Sequence, residues 1–282
     1  MRKVLIIGIG AGNPDYLTVQ AIEALNEADV FFIPDKGTEK AALRELREEI
    51  CARFIRQPGY RFVPIAVPVR AKSDDYKADV ADWHAAIEAR YTALLQSELA
   101  QGETGAFLVW GDPALYDSTL RIIQAIDAKA PFPFDYRVIP GITSVQALAA
   151  QHRIALNRIG EQVHVTTGRK LGEALPAGAD TVVMLDGEQA FKRLVGQGLE
   201  IYWGAYLGTP EEILISGPLD EVAEEIDRRR REARDRNGWI MDTYLLRKSD
   251  SKPKSDAPPK SDAPPKSDAP PKSDAPQKCD AP

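Results

Sequence analysis

The sequence predicts an α/β protein built from two domains and a separate C-terminal tail. Three observations support this fold class. Short apolar runs alternate with amphipathic helical segments, turns rich in glycine or proline follow several of these runs, and Pro140 divides the body into 139 residues before it and 107 after it, up to residue 247. These lengths suit one domain on each side. We therefore predict an N-terminal α/β domain over residues 1–138, a C-terminal α/β domain over 139–247 and a tail over 248–282.

The N-terminal half is predicted to alternate between strands and helices. Its first apolar run, residues 3–7, ends at Gly8. Because Gly8 and Gly10 interrupt this run before the apolar stretch of a signal peptide is complete, we interpret it as the first strand. The other elements predicted in this half are helices at 18–26, 43–54, 80–100 and 118–129, and strands at 30–33, 106–110 and 136–139.

The C-terminal half has the same kind of pattern, with more strands than helices. Its predicted helices are residues 142–151, 188–195 and 219–234, and its predicted strands are residues 162–166, 181–185, 199–207, 213–216 and 239–246. The arginine run 228–231 follows Glu224 and Glu225 in a predicted helix, and this pattern predicts a solvated, charged face.

The tail differs sharply in composition from the body. From residue 248 onward a Lys-Ser-Asp-Ala-Pro-Pro unit repeats, with nine of the 21 prolines of the chain and no large apolar residue. Such a segment has nothing to bury, so we predict that it is disordered and acts as a solubilising or linker extension. Cys279 stands in the repeat in place of serine and is interpreted as a spare exposed thiol.

Composition excludes several classes of function. With 36 basic and 42 acidic residues, the formal net charge of −6 gives no positive field that would hold nucleic acid or an anionic membrane. Two cysteines and three histidines are too few and too scattered for a zinc site, so we expect no metal. The apolar runs are shorter than the roughly 20 residues of a membrane-spanning helix. The low cysteine count fits a reducing cytoplasm best.

A glycine-rich turn, Gly8 to Gly12, follows the first predicted strand and has two functional interpretations. Small residues here let a ligand approach the backbone, as in a dinucleotide-binding fold, and Asp35 after the second strand could contact a ribose. However, Asn13 occupies the position of the last fingerprint glycine, and Pro14 delays the helix until about Thr18. An NAD(P)-dependent oxidoreductase is therefore the weaker alternative, and a tight turn without a ligand also stays open.

Further loops follow the later strands, and together they carry a family resemblance. They are Trp110-Gly-Asp-Pro113, Pro140-Gly-Ile-Thr-Ser144, residues 181–187 and residues 205–212. With the opening run Gly8-Ile-Gly-Ala-Gly-Asn-Pro-Asp-Tyr-Leu-Thr18, they resemble the tetrapyrrole (corrin/porphyrin) methyltransferases over nearly all of residues 1–247. The resemblance implies two α/β domains with a cofactor cleft between them, S-adenosyl-L-methionine as cofactor, a tetrapyrrole substrate and a homodimer.

The resemblance also implies which residues bind the cofactor. Carried over by motif, they are Ala11, Trp110, Gly111, Asp112, Leu115, Thr143, Ser144, Met184 and Gly208. The family motif can be aligned to the loop at Met184 in two ways that differ by one residue, so Leu185 is the alternative to Met184 as a cofactor contact. Each polar member also has a structural interpretation: Asp112 as the first residue of an Asp-Pro turn, and Thr143 and Ser144 as helix N-caps.

The resemblance points to Asp35 as the catalytic residue. In related uroporphyrinogen methyltransferases the aspartate at this strand end accepts a proton, although a solvated turn residue is the alternative here. The run Gly204 to Glu212 and the ending Gly238 to Leu246 are most similar to members of the aerobic cobalamin pathway. That similarity implies precorrin-5 as substrate, methylated at C-1 with loss of acetate to give precorrin-6A.

Two other functions remain open at this stage. One is methylation of a corrin or porphyrin precursor at another position, because the cofactor loops are shared across the family. The other is a corrinoid carrier without turnover. Asp35 or Asp112 would orient the deacetylating water, and Tyr116 and Asp117 are further candidates to face the substrate. A polycarboxylate substrate also needs cationic contacts, for which Arg121, Arg169 and Lys170 are candidates by loop position.

Overall fold

The computed structural model describes residues 1–35, 41–68 and 76–249, without the side chains of residues 35, 41–42 and 76–77. The described residues form ten strands and six α-helices. In chain order these are β1 (Arg2–Gly8), α1 (Val19–Glu27), β2 (Val30–Asp35), α2 (Ala41–Phe54), β3 (Arg61–Ala66), α3 (Tyr76–Ser97), β4 (Thr104–Val109), α4 (Thr119–Lys129), β5 (Phe134–Ile139), α5 (Ser144–His152), β6 (Gln162–Thr167), β7 (Ala179–Met184), β8 (Leu199–Ala205), β9 (Ile213–Pro218), α6 (Leu219–Asn237) and β10 (Asp242–Lys248). The described elements thus confirm the α/β fold class.

The first sheet contains β1 to β5, and all its strands are parallel, in the order β3-β2-β4-β1-β5. Both faces of β1 are buried: Val4 and Ile6 lie in one apolar cluster with residues of α3 and α4, and Leu5 and Ile7 in another with residues of α1 and α2. A strand covered by helices on both faces needs a continuous apolar run, which explains the composition of residues 3–7.

β1 lies at the point of this sheet where a ligand is expected. Its neighbours are β4 and β5, which follow it by long stretches of chain, so the loops after these three strands meet at one edge. In open parallel sheets such a crevice, at the carboxyl ends of the strands, is the usual ligand site.

The second sheet is mixed, in the order β6-β7-β10-β8-β9. β6 and β7 are parallel, whereas β10 runs antiparallel to both β7 and β8. Trp203 and Tyr244, from the central strands β8 and β10, are fully buried in the apolar cluster of this half. Because β10 is antiparallel, its first residues lie beside the ends of β7 and β8.

Three sequence predictions need correction. β3 was not predicted, because Pro64 interrupts its run; β3 is an edge strand, where proline is tolerated. The predicted helix at 188–195 is only a 3-10 helix, Ala190–Leu194, preceded by Gln189 in the left-handed region. Residues 239–241, predicted to start the last strand, precede β10.

Residues Met1–Ser249 form one compact unit that contains both sheets. A separate sheet lies on each side of Pro140, while the division into domains at residues 138 and 139 stays a prediction. Lys248, assigned to the tail by composition, is the last residue of β10. The rest of the repeat, from residue 250, lies outside the described residues. No helix in the described ranges is long and apolar enough to cross a membrane.

Cys51 on α2 offers a simple test of how tightly the N-terminal half is packed. Its side chain is fully buried, and burial, with a smaller contribution from Glu48, raises the pKa of its thiol to about 12. Since the thiolate is the reactive form, we expect a Cys279→Ser protein to show no reaction with Ellman's reagent when native and one equivalent in denaturant. Rapid reaction of the native variant would contradict the packing around α2.

Candidate active site

A cavity of about 160 Å³ lies where the two sheets meet. The loops after β1, β4 and β5 form one side of it, and residues at the ends of β7 and β8 and the start of β10 form the other. Eight of the nine positions predicted to bind a cofactor line it: Ala11, Trp110, Gly111, Asp112, Leu115, Thr143, Ser144 and Met184. The structure therefore brings together loops that are far apart in the sequence, whereas the cofactor contact of each residue stays a prediction.

The glycines around the cavity allow close packing of the loops. A Cβ atom on Gly141 would lie 2.1 Å from the carbonyl oxygen of Gly111, and one on Gly8 would lie 2.6 Å from the amide nitrogen of Gly141. Gly10 and Gly111 also exchange backbone hydrogen bonds, with N···O distances of 3.3 and 2.8 Å. The three loops thus touch backbone to backbone, which only glycine allows.

Asp112 joins two of these loops. Its Oδ1 accepts a hydrogen bond from the Ala114 amide at 2.7 Å, and its Oδ2 accepts one from the Gly141 amide at 2.8 Å. The first bond is the turn-forming contact expected of an Asp-Pro sequence, and the second ties the loop after β4 to the loop after β5. The carboxylate therefore shapes the cavity wall while it still faces the cavity.

Thr143 and Ser144 have different local roles. Thr143 is the N-cap of α5 and forms a capping box with Gln146, so its side chain stabilises the start of the helix. The Ser144 hydroxyl accepts a hydrogen bond from Thr243 Oγ1 at 3.0 Å, which connects α5 to β10 across the cavity wall. The sequence interpretation of both residues as cap candidates is confirmed for Thr143.

The remaining predicted cofactor positions differ in their placement. Met184 ends β7, and Leu185 follows it; both line the small cavity, so the choice between them stays open. Gly208 instead lines a neighbouring cavity of about 450 Å³, and a Cβ on it would lie 2.8 Å from the Asn13 amide nitrogen. Its own amide donates to Glu212 Oε2 at 2.7 Å.

Backbone strain is concentrated around the small cavity. Three of the six non-glycine residues with positive φ in the described chain line it: Tyr116, Leu185 and Tyr206, with φ of 55°, 53° and 51°. Each such conformation costs on the order of 1–3 kcal/mol and persists only where the surrounding structure imposes it. Such outliers cluster at functional sites, and nothing in the sequence identifies them.

A buried polar network lies behind the cavity wall, and the sequence did not reveal it. Arg230 of α6, predicted to be solvated, is 5% exposed; its Nε donates to Asp242 Oδ2 at 2.9 Å and its guanidinium to the Asp186 carbonyl at 3.0 Å. Trp203 Nε1 also donates to Asp242, at 3.0 Å. Arg230 therefore links the loop after β7 to the first residue of β10, and both segments line the cavity.

A larger cavity of about 420 Å³ adjoins the first one. Four residues line both cavities: Trp110, Asp117, Leu185 and Met241. Pro34 also lines the larger cavity, and Asp35, the predicted catalytic residue, follows it at the end of β2. The side chain of Asp35 is outside the described part of the structure, so its role stays a prediction.

Among the described residues, two arginines line the larger cavity, Arg47 of α2 and Arg90 of α3. Arg47 donates to the Leu108 and Leu43 carbonyls at 3.0 and 2.5 Å. Burial lowers the pKa of Arg47, and attraction to Asp117 opposes this effect, yet an arginine stays charged in a protein. Arg121, Arg169 and Lys170, the cationic candidates from the sequence, line neither of the two cavities.

The two cavities differ in charge. Among the residues that the structure describes, the smaller is lined by the carboxylates Asp112, Asp117 and Asp242 and by no lysine, arginine or histidine. Such a wall suits a ligand with net positive charge, such as a sulfonium with an ammonium group. A pyrophosphate has no basic partner here, and α1 begins only at Val19 rather than on the glycine-rich turn. The geometry thus disfavours the dinucleotide interpretation.

Two of the three histidines, His84 and His152, have contacts that are consistent with structural roles. His152 Nε2 lies 3.0 Å from the Trp203 carbonyl oxygen, and burial lowers the pKa of the imidazole. His84 packs beside the Trp83 ring. Among the described residues, no group of three or more His, Cys, Asp or Glu side chains is arranged to hold a metal ion.

Comparison with known proteins agrees with this geometry. The chain is 58% identical over 250 residues to the precorrin-6A synthase [deacetylating] of Sinorhizobium sp; the match covers 88% of this chain and 96% of that protein. A Corynebacterium diphtheriae crystal structure, described as a cobalamin synthesis related protein (CobF), superposes with a TM-score of 0.75 at 38% identity and covers 88% of this chain and 99% of its own.

A more distant structure shares the fold. It is the uroporphyrin-III C-methyltransferase of Thermus thermophilus in complex with S-adenosylhomocysteine, with a TM-score of 0.50, 18% identity, and coverage of 86% of this chain and 96% of its own. The sequence model of the family described as tetrapyrrole (corrin/porphyrin) methylases matches residues 3–223 of this chain. With two sheets, a cavity between them and this match over most of its length, the chain belongs to the tetrapyrrole (corrin/porphyrin) methylase family.

Proposed function

We propose that this protein is an S-adenosylmethionine-dependent methyltransferase that converts precorrin-5 to precorrin-6A, with methylation at C-1 and release of acetate. The observation that carries the proposal is the 58% identity, over 96% of its length, to a deacetylating precorrin-6A synthase. The shape of the site supports it, because the cavity proposed for the cofactor adjoins a larger cavity with room for a second ligand, and four residues line both.

The smaller cavity is the proposed cofactor site, and its residues fit the cofactor. S-adenosylmethionine supplies an electrophilic methyl group on a positively charged sulfur. Asp112 and Asp117 give the cavity the negative charge that such a cation needs, whereas the charge of Asp242 is balanced by Arg230. Ala11, Leu115 and Met184 provide apolar contacts. The backbone of Gly111, fixed by its bonds to Gly10, offers polar groups without a side chain in the way. Gly208, which lines the neighbouring cavity, would contact the cofactor from the loop after β8.

The larger cavity is the proposed tetrapyrrole site. Arg47 and Arg90 would bind carboxylates of the substrate, and the indole rings of Trp83, Trp110 and Trp239 offer flat apolar surfaces for the macrocycle. Methyl transfer needs little covalent help, so holding the ring carbon in line with the methyl group and excluding water does most of the work. Asp35, next to Pro34 in the wall, stays the proposed acid–base residue from the family resemblance.

Cofactor binding and turnover test the proposal together. We expect the full chain to bind S-adenosylhomocysteine with micromolar affinity in isothermal titration, and NADH not to bind, because the smaller cavity carries only acidic charges. Incubation with precorrin-5 and S-adenosylmethionine should then release acetate. Binding of NADH without S-adenosylhomocysteine would favour an oxidoreductase. A product methylated at another ring position would indicate a different methyltransferase activity of the same family. Tetrapyrrole binding without turnover would indicate a carrier.

The resemblance also supports a statement about assembly and location. We propose that the protein acts in the cytoplasm as a homodimer and that its body consists of two domains, residues 1–138 and 139–247, with the cofactor between them. The presence of one sheet on each side of Pro140 supports this division.

A further inference from the structure

The residues that line both cavities define where the reaction must take place. Under the proposed function, the methyl donor occupies the smaller cavity and the tetrapyrrole occupies the larger one. The methyl group and the ring carbon that accepts it can meet only where the two cavities join. Trp110, Asp117, Leu185 and Met241 line this junction. Asp117 is the only one of the four with a titratable side chain.

The hydrogen bonds of Asp117 leave one oxygen available for chemistry. Its Oδ1 accepts from the Thr119 amide at 2.7 Å, which fixes the direction of the carboxylate at the start of α4. Its Oδ2 accepts no hydrogen bond from the described residues. A carboxylate that is held by one oxygen and open at the other is suited to accept a proton from a bound water.

The other two acidic side chains of the smaller cavity are occupied. Both oxygens of Asp112 accept backbone amide hydrogens, and Asp242 is paired with Arg230 and Trp203. Neither Asp112 nor Asp242 lines the larger cavity. This separates Asp117 from Asp112, which the sequence suggested as a director of the deacetylating water.

We infer that Asp117 is the general base that activates the water for the deacetylation step, an inference that rests on the proposed function. The carboxylate takes one proton from water as the water oxygen bonds to the carbonyl carbon of the acetyl group. The bond between that carbon and the macrocycle then breaks, and its electron pair stays on the macrocycle. The acetyl group leaves as acetic acid, which ionises, and Asp117 returns its proton to solvent.

This step also prepares the methyl transfer. The electron pair left on the macrocycle makes ring carbon C-1 nucleophilic, and C-1 bonds to the methyl group as the sulfur–carbon bond breaks and its electrons return to sulfur. Acetate release and S-adenosylhomocysteine formation should therefore depend on Asp117 together. Because Asp117 lies where the two cavities adjoin, its carboxylate can serve the deacetylation in the larger cavity while it stays close to the methyl donor in the smaller one.

The test is the variant Asp117→Asn, whose side-chain oxygen can still accept from the Thr119 amide. We expect acetate release from precorrin-5, measured at saturating S-adenosylmethionine, to fall by about 10²–10⁴-fold, the usual contribution of a general base, while S-adenosylhomocysteine still binds in isothermal titration. Asp117→Glu keeps a carboxylate at this position, so it should retain part of the acetate release that Asp117→Asn loses. Asp127→Asn, an exposed position on α4 away from both cavities, is the matched control and should keep wild-type rates.

Each contrary result has its own meaning. Wild-type acetate release in Asp117→Asn would overturn the assignment of Asp117. So would complete loss of S-adenosylhomocysteine binding in that variant, an equal loss of acetate release in Asp117→Glu, or loss of acetate release in Asp35→Asn alone. If wild-type protein releases no acetate, the proposed function itself fails. If Asp117→Asn does not fold, as judged by its melting temperature, Asp117→Ser replaces it, because serine also accepts from the amide.

Discussion

Replacing Arg230 with methionine is expected to lower the free energy of unfolding by about 3–5 kcal/mol, the usual cost of removing one partner of a buried ion pair. Asp242 is 8% exposed and would lose its charged partner, while the Asp186 carbonyl would lose a donor. Because Arg230 connects two segments of the cavity wall, affinity for S-adenosylhomocysteine should fall as well. Urea denaturation and isothermal titration measure the two effects.

Arg228→Met is the matched control on the same helix. Arg228 is 55% exposed on its side chain and pairs with Glu225 and Glu232 at the surface, so its loss should cost less than about 1 kcal/mol. Equal destabilisation by the two variants would show that the buried pair has no special importance.

The loss in Arg230→Met should also depend on pH. Burial raises the pKa of Asp242, and Arg230 opposes that rise, so the variant should have a still higher Asp242 pKa. A carboxyl group whose pKa is raised by folding favours the folded state at low pH and disfavours it as pH rises through the folded-state pKa. The deficit relative to wild type should therefore be smaller at about pH 5 than at about pH 8. A deficit that is the same at both pH values would argue against an unpaired Asp242 as its cause.

Replacing Gly141 with alanine is expected to destabilise the protein by about 3 kcal/mol or more, at the upper end of the cost of overpacking. The added Cβ would lie 2.1 Å from the Gly111 carbonyl oxygen and within 3 Å of backbone atoms of Gly8. No side-chain rotation relieves a clash between backbone atoms, so the loops after β1, β4 and β5 must separate. Chemical denaturation should show the loss of stability, and titration at least a tenfold loss of S-adenosylhomocysteine affinity.

Gly187→Ala is the matched control. Gly187 is exposed in the loop after β7, its φ is not in the left-handed region, and a Cβ there would meet nothing within 4 Å. Its replacement should change stability by less than about 1 kcal/mol. If Gly141→Ala were as stable as Gly187→Ala, the close contact of the three loops would be wrong.

The sequence predicted the strands whose burial shows in their composition. β1 and β4 are apolar on both faces, so their runs are continuous and easily recognised. β3 was missed because an edge strand tolerates Pro64, and the short helix after β7 was overpredicted because the Asp186 carboxylate binds the amides of Glu188 and Ala190 and replaces helical bonds there.

Only part of the candidate site could be predicted from the sequence. Motifs placed eight residues around one cavity, because glycines and strand-end loops leave a local pattern. The position of Asp117 at the junction, the buried pairing of Arg230 with Asp242 and the arginines of the larger cavity depend on contacts between distant elements. A helix such as α6 has the same charged composition whether one of its arginines is solvated or buried, so no local pattern could separate Arg230 from its neighbours.

The opposite charge of the two joined cavities sets a rule for inhibitor design. A single molecule that spans the junction should carry a cationic group at one end, for the aspartates, and carboxylates on a flat aromatic scaffold at the other end, for Arg47 and Arg90. Such a bisubstrate compound gains effective concentration by linking two fragments. The spacing between its charged ends then becomes a source of selectivity over enzymes that share only the cofactor half of the site.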